Sequence, residues 1–245
     1  MSRGLGDVYK RQPLVGRDNR IEIHLVDKRC GLFANLRAAA ARFLDDAILL
    51  QFRQCLTQRN AADGVLLRQR AFRDKKTVVM TNYGITRGFF LIRPGQIPEG
   101  KEEVASLLDG VSRYWKHQTL AQLKEAVGHI DMMVTGASAI TPSGIRFGKG
   151  HGYFDLEYAM LSTVGLCDET TAIVGAGHDV QVVDVDVTVE DYDTAIDYIV
   201  TPTRLIETRH EYPRPSKGII WSRLAPGMRE QIPPIQELWC KVHCK

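Results

Sequence analysis

The stretch Gly144-Ile145-Arg146-Phe147-Gly148-Lys149-Gly150-His151-Gly152-Tyr153-Phe154-Asp155 constrains this chain more than any other. Four glycines are interleaved with two fixed cations, and an aromatic pair and a carboxylate follow at once. Glycine lets backbone N–H groups turn inward and approach a phosphate closely. Arg146 and Lys149 add positive charge where phosphate oxygens would lie. Asp155 follows at a position suited to holding a hard cation such as Mg²⁺ beside those oxygens. The spacing is neither that of a Walker A loop nor that of a dinucleotide fingerprint opening a helix. A tight surface turn would use the same glycines. The cations and the closing Tyr-Phe-Asp point to a phosphate site.

Around this loop, apolar runs of strand length alternate with helical segments. Ile130–Thr135, Ala172–Ala176 and Ile196–Val200 read as buried strands, and Thr77–Thr81 and Phe89–Ile92 as further strands. Val65–Phe72 also reads as a strand. Glu102–Leu108, Thr119–Val127 and Leu156–Val164 read as helices, and Leu32 to about Thr57 suits one or two more. Residues 13–31 show no clean period. From Val183 to Val189 every second residue is valine, which predicts a strand with one wet face carrying Asp184 and Asp186. Buried strands between helices predict an α/β fold, a mainly parallel Rossmann-like sheet covered on both sides.

Two strands end alike: Asp131-Met132-Met133-Val134-Thr135 and Asp197-Tyr198-Ile199-Val200-Thr201. Ligands bind beyond the carboxyl ends of strands in open α/β sheets. The shared endings predict that Gly136, Ala137 and Ser138 lie beside Pro202, Thr203 and Arg204.

Composition excludes several classes. The net charge of +3 is too small to argue for nucleic acid, although residues 1–76 carry roughly +8 and the remainder roughly −5. The five scattered cysteines fit a reducing compartment rather than a disulfide framework. Cys240, His243 and Cys244 offer three zinc ligands where a structural site usually needs four. No apolar run is long enough to span a membrane, and no secretory signal opens the chain. The expected location is cytoplasmic. The expected organisation is a non-native leader at 1–12, a poorly defined segment at 13–60, an α/β domain at 61–239 and a tail at 240–245.

Arg146 to Asp155 resembles the signature Arg-Leu-Gly-x-Gly-x-Gly-Tyr-Tyr-Asp of the 5-formyltetrahydrofolate cyclo-ligase family. Leu156-Glu157-Tyr158-Ala159, Val134 to Ser138, His178 to Val183, Val200 to Arg204 and Pro213-Arg214-Pro215 resemble one bacterial branch of it, similar to the methenyltetrahydrofolate synthetase domain-containing proteins. The resemblance runs from about Arg68 to Trp239. It implies a sheet like that of the NagB, RpiA and CoA-transferase proteins. It also implies ATP- and Mg²⁺-dependent closure of 5-formyltetrahydrofolate to 5,10-methenyltetrahydrofolate. ATP activates the formyl oxygen in that reaction, and the second folate nitrogen then displaces phosphate.

The residues implied for ATP are Arg146, Phe147, Gly148, Lys149, Gly150, His151, Gly152 and Tyr153, with Arg146, Lys149 and Tyr153 catalytic. Tyr153 and Phe154 would flank the folate or the base. Asp155 and Asp193 would hold Mg²⁺. The partner implied is a small-molecule folate. Some eukaryotic relatives add an RNA-recognition domain, but no aromatic-rich segment of that kind occurs here.

Two departures stand out. The family's N-terminal Lys-x-x-x-Arg is absent before the loop; Arg37 and Arg42 are one residue too far apart for a helical pair. The arginine expected after Tyr-Tyr-Asp is Leu156. Arg87 and Arg204 are the replacement cations considered. The alternative to an enzyme is a module of the same fold that holds a nucleotide or folate without turnover.

Overall fold

The computed structural model describes residues 23–26, 68–69, 71–107, 110, 113–148, 150–209 and 211–243. Its centre is an eight-stranded mixed sheet. In chain order the strands are β1 (Ile23–Val26), β2 (Thr77–Thr81), β3 (Phe89–Ile92), β4 (Lys116–Gln118), β5 (Met132–Gly136), β8 (Ala172–Ala176), β9 (Tyr198–Val200) and β10 (Leu205–Glu207). The spatial order is β10-β9-β8-β5-β1-β2-β3-β4. A separate two-stranded hairpin pairs β6 (Ala139–Ile140) with β7 (Arg146–Phe147).

Among the described residues only β5–β8 and β8–β9 pair in parallel; the remaining pairs of the large sheet are antiparallel. The fold is therefore mixed α/β, with its parallel part confined to three strands. β2 and β3 are buried on both faces although they are antiparallel. Burial on both faces reports covering layers rather than strand direction.

The two faces follow the strand period of two. Val79, Phe89, Leu91, Met133, Ile173 and Ile199 face one core, under helices α2 (Leu120–Val127), α3 (Tyr153–Thr163) and α5 (Pro233–His243). Val78, Met80, Phe90, Ile92, Met132 and Val134 face the other, with Ala71 and Trp115. On that second side, near α1 (Glu102–Ser106), Trp115 Nε1 donates to the Ala105 carbonyl at 2.8 Å. Arg68 is buried there, its Nε donating to the Ser106 carbonyl at 2.7 Å. Burial pulls the Arg68 guanidinium down to about 10.

Local chemistry sets the helix ends. Thr119 and Gln122 form a reciprocal capping box at α2. The Glu237 carboxylate of α5 accepts from the Leu120 and Ala121 N–H groups at 2.8 and 3.0 Å, tying α5 to the start of α2. A shorter helix, α4 (Met228–Gln231), precedes α5.

Three sequence readings differ from the structure. The described part of Val65–Phe72 is helical. Val183–Val189 forms no strand; Val182 makes an isolated bridge to Ile140, and Val183 N–H bonds the Ile140 carbonyl at 2.9 Å. Its alternation marks extended backbone, while a strand also needs a partner ladder. Ile23–Val26, within the stretch that shows no period, pairs with both β2 and β5. The readings of residues 1–12 and 32–57 lie outside the described residues.

The hairpin turn is the tightest point near the loop. Gly144 has φ +94°, and its N–H and carbonyl bond the Thr141 carbonyl and the Ile196 N–H. A Cβ there would sit 2.7 Å from the Ile196 carbonyl oxygen. Gly144→Ala is expected to lower stability by about 2 kcal/mol or more, from left-handed strain plus the backbone collision. Urea unfolding measures it.

Candidate functional site

β7 delivers Arg146, the glycine loop follows, and α3 begins at Tyr153. α3 is the crossover helix between the parallel strands β5 and β8, so its start lies at the carboxyl end of β5, where ligands collect in such sheets. Its N-cap is Gly152, left-handed at φ 63°, with no side-chain capping bond. The first-turn N–H groups are thus left for water or a ligand.

Arg146 lies beneath the loop, its side chain 9% exposed. The guanidinium carbon sits 4.5 Å from the centre of the Phe154 ring. Nη2 lies 3.5 Å from Asp155 Oδ2. A Cβ on Gly148 would come within 3.0 Å of Nη1, so the loop backbone crosses close over the guanidinium. Arg146 Nε is buried with no hydrogen-bond partner among the described residues. An anionic oxygen at this point would satisfy it.

Asp155 has two ties: Oδ2 to Arg146, and Oδ1 accepting the Thr194 N–H at 3.0 Å. The next residue back, Asp193, accepts the Glu190 N–H at 2.9 Å. Burial, reinforced by the charges of Asp155 and Glu190 and opposed by the Glu190 N–H and Arg146, pushes the Asp193 carboxyl up to about 6. Asp193 therefore senses the charge of Asp155. Among the described residues no group of three or more His, Cys, Asp or Glu side chains comes together as a metal cage.

The other named residues are placed as follows. Phe154 is 1% exposed, so its ring acts through Arg146 rather than as an open stacking face. Tyr153 is half-buried and stacks on His151, ring centres 5.5 Å apart and planes within 4°. Phe147 and Gly150 are described as part of the hairpin and loop. Lys149 lies outside the described residues. Of the replacement cations, Arg204 Nε is bound to Asp179 Oδ1 at 3.0 Å. Arg87 rests over Phe90, its guanidinium carbon 5.2 Å from the ring centre.

The strand endings are joined indirectly. β8 lies between β5 and β9, and the turn after it reaches both ways. Gln181 Nε2 donates to the Ala137 and Ser138 carbonyls at 2.6 and 3.2 Å. Asp179 accepts from the Thr201 and Thr203 hydroxyls at 2.6 and 2.7 Å. Those hydroxyls, with Arg204, hold the Asp179 carboxyl down at about 2.

Sequence reading missed a cleft beside the loop. Gly152, Asp155 and Leu156 line one part, and Tyr192, Ile219 and Arg223 another. Also missed was Glu157, buried on α3, whose Oε1 accepts the Thr81 hydroxyl at 2.5 Å. Glu157 lies in the Leu156–Ala159 stretch that carries the resemblance, but its bond to Thr81, like the cleft, depends on contacts between segments far apart in the chain.

The fold and site thus describe a mixed α/β protein with a glycine loop over a buried arginine at the start of a crossover helix. Residues 57–202, more than half of the chain, match the model of the 5-formyltetrahydrofolate cyclo-ligase family, and the chain belongs to that family. Over 110 residues it is 44% identical to the methenyltetrahydrofolate synthase domain-containing proteins of Mus musculus and Homo sapiens. The matched stretch is 44% of this chain and 29% and 28% of those relatives' lengths. Among the described residues no helix is long and apolar enough to cross a membrane.

Asp193 provides a pH test. Between its ordinary value of 3.8 and about 6, the native chain keeps a proton that the unfolded chain has lost. Stability contributed by this group therefore falls as pH rises through that window. Asp193→Asn is expected to melt higher than the parent at about pH 8, with the gap closing by about pH 4. Scanning calorimetry at the two pH values measures it.

Proposed function

We propose that this chain is an ATP- and Mg²⁺-dependent cyclo-ligase that converts 5-formyltetrahydrofolate to 5,10-methenyltetrahydrofolate. The carrying observation is Arg146: a buried guanidinium with an unsatisfied Nε, directly under a glycine loop that ends at an uncapped helix. The residues suit the groups involved. Arg146, Lys149 and the loop N–H groups would hold phosphate oxygens. Asp155 and Asp193 are hard oxygen donors whose mutual repulsion a dication would relieve. When bound, Mg²⁺ would neutralise charge developing on the transferred phosphoryl group.

The chain's own residues then do what such a transfer requires. Phe154 and Asp155 fix the plane of the Arg146 guanidinium, so its donors stay aimed without reorganising. Thr194 fixes the Asp155 carboxylate from the opposite side. Tyr153, stacked on His151, would border the space where the formyl oxygen must meet the phosphoryl group. No nucleophilic side chain is needed, because the folate supplies both the oxygen and the nitrogen that react.

Leu156 favours a second reading, a module that binds nucleotide or folate without turnover. It puts an apolar side chain where the family signature continues with arginine.

One assay separates them. Purified chain with Mg²⁺ and 5-formyltetrahydrofolate is expected to develop the methenyl chromophore only when ATP is added. ATP binding without the chromophore would establish the module instead. Lys149→Ala is expected to weaken ATP at least tenfold, as for a lost charge-assisted contact of about 1.5–3 kcal/mol. Calorimetric titration of the folded variant measures it, and unchanged affinity would remove Lys149 from the phosphate site.

A further inference from the structure

Glu157 is a carboxylate in an apolar setting. It is 2% exposed on α3, and Phe154, Tyr158, Met160 and Leu161 of the same helix are buried around it in the chain. A carboxylate taken this far from water is costly unless a donor meets it. The donor is the Thr81 hydroxyl, 2.5 Å from Oε1, on a threonine that is also 2% exposed. Leucine or methionine would fill a similar volume without that cost, so packing alone gives no reason for a carboxylate.

The bond joins two halves of the sheet. Strand order places β1 between β5 and β2. β1 is antiparallel to both, so β2 runs in the direction of β5 and ends at the same edge as the parallel strands. Thr81 is the last residue of β2 and shares a face with Val79, the face that α3 covers. α3 belongs to the β5–β8 crossover, and Glu157 ties it across to β2. The turn Asn82–Gly88 follows Thr81 at once.

That turn meets Tyr153. A Cβ on Gly84 would lie 3.5 Å from the Tyr153 phenol oxygen and 3.7 Å from its Cζ. Tyr153 and Glu157 are four residues apart, so they lie one above the other on one face of α3. His151 stacks on the Tyr153 ring and fixes its plane. Stacking leaves the ring free to slide within that plane, and the Gly84 backbone meets its hydroxyl end. The turn itself is stiff. Asn82 Oδ1 accepts the Arg87 N–H and Asn82 Nδ2 donates to Thr86 Oγ1, both at 2.9 Å. Ile85 is left-handed at φ 55° and fully buried. A β-branched residue adopts that conformation only where its surroundings force it, and such strain is kept where geometry must be set in advance.

We propose that Glu157 is a positioning residue. Through Thr81 it holds the Asn82–Gly88 turn against Tyr153, and so fixes where the phenol hydroxyl stands beside the glycine loop. Its effect on turnover rests on the function proposed above, in which Tyr153 meets the substrate.

The test compares variants of the full chain that remove the bond with variants that keep it. Thr81→Val and Glu157→Leu remove it with little change of volume, whereas Thr81→Ser keeps the donor and Glu157→Gln keeps an acceptor. The chain is labelled with 3-fluorotyrosine, and Tyr153→Phe assigns one resonance among those of the eight tyrosines. Fluorine NMR is expected to show the Tyr153 resonance displaced or broadened in Thr81→Val and Glu157→Leu, and restored in Thr81→Ser and Glu157→Gln. In the methenyl assay the first two are expected to lose about tenfold or more in kcat, with KM for ATP changed by less than about twofold. The double variant is expected to be no worse than either alone. A Tyr153 resonance at its parent position in folded Thr81→Val would overturn the proposal, even if Glu157→Leu fails to fold. So would Glu157→Gln behaving as Glu157→Leu does. A lower melting temperature with resonance and kcat unmoved would make the bond structural only, and would overturn it too. A parent chain that forms no methenyl product removes the proposed function, and the Tyr153 resonance then decides the positioning by itself.

Discussion

The carboxylate of Asp155 is the constraint on which the site depends. One oxygen faces Arg146 of the hairpin, the other takes the Thr194 N–H from the segment leading into β9, and the residue itself opens α3. Three separate pieces of chain are thereby referred to one point. A pair buried this far contributes little net stability, because desolvation offsets most of the attraction, while removal of one partner costs several kcal/mol. Its value is in geometry. Arg146 cannot swing away while Asp155 and the Phe154 ring both hold it, so the charge under the loop is fixed before any ligand arrives.

The surrounding sheet is arranged to deliver that point. Three parallel strands bring the β5, β8 and β9 ends to one edge. The turn after β8 ties them, with Gln181 reaching the β5 loop and Asp179 the β9 loop. At the other end of β9, Asp197 Oδ2 accepts the Ile173 N–H at 2.7 Å and pairs with Arg214, whose Nη1 also donates to the Asp168 and Thr171 carbonyls. Both ends of the parallel unit are therefore pinned by an arginine and an aspartate. The cations used in these ties, Arg204 and Arg214, are structural in the geometry seen here.

Much of this was legible in the residues. Ala172–Ala176 emerges as read, and α2 and α3 lie within one or three residues of their expected starts, because local period and capping carried the signal. The glycine loop was legible because its chemistry is local too. What failed was non-local. Ile23–Val26 is too short to show a period and is a strand only because β2 and β5 flank it. The described residues of Val65–Phe72 are helical, with Arg68 aimed at Ser106 thirty-eight positions away. The valine alternation after Val183 lacks a ladder partner, and Val185 is left more than half exposed. The cleft was invisible for the same reason, since one wall comes from α3 and the other from a segment some sixty residues later.

A site that loses a charge from one wall need not lose the ligand, provided binding energy is supplied elsewhere, but the substitution is not neutral for chemistry. Stacking and burial act equally on the ground state and the transition state, whereas a cation beside the phosphoryl group acts most strongly as charge moves. On the proposed reading, Leu156 in place of the signature's arginine therefore favours nucleotide binding over stabilisation of the transition state. Arg146 remains the charge that the fold itself holds in place, and Arg223 is engaged with Glu190 and Tyr192 at the cleft. On that reading, turnover rests on how far the rigidly held Arg146 matches the charge that develops in the transition state.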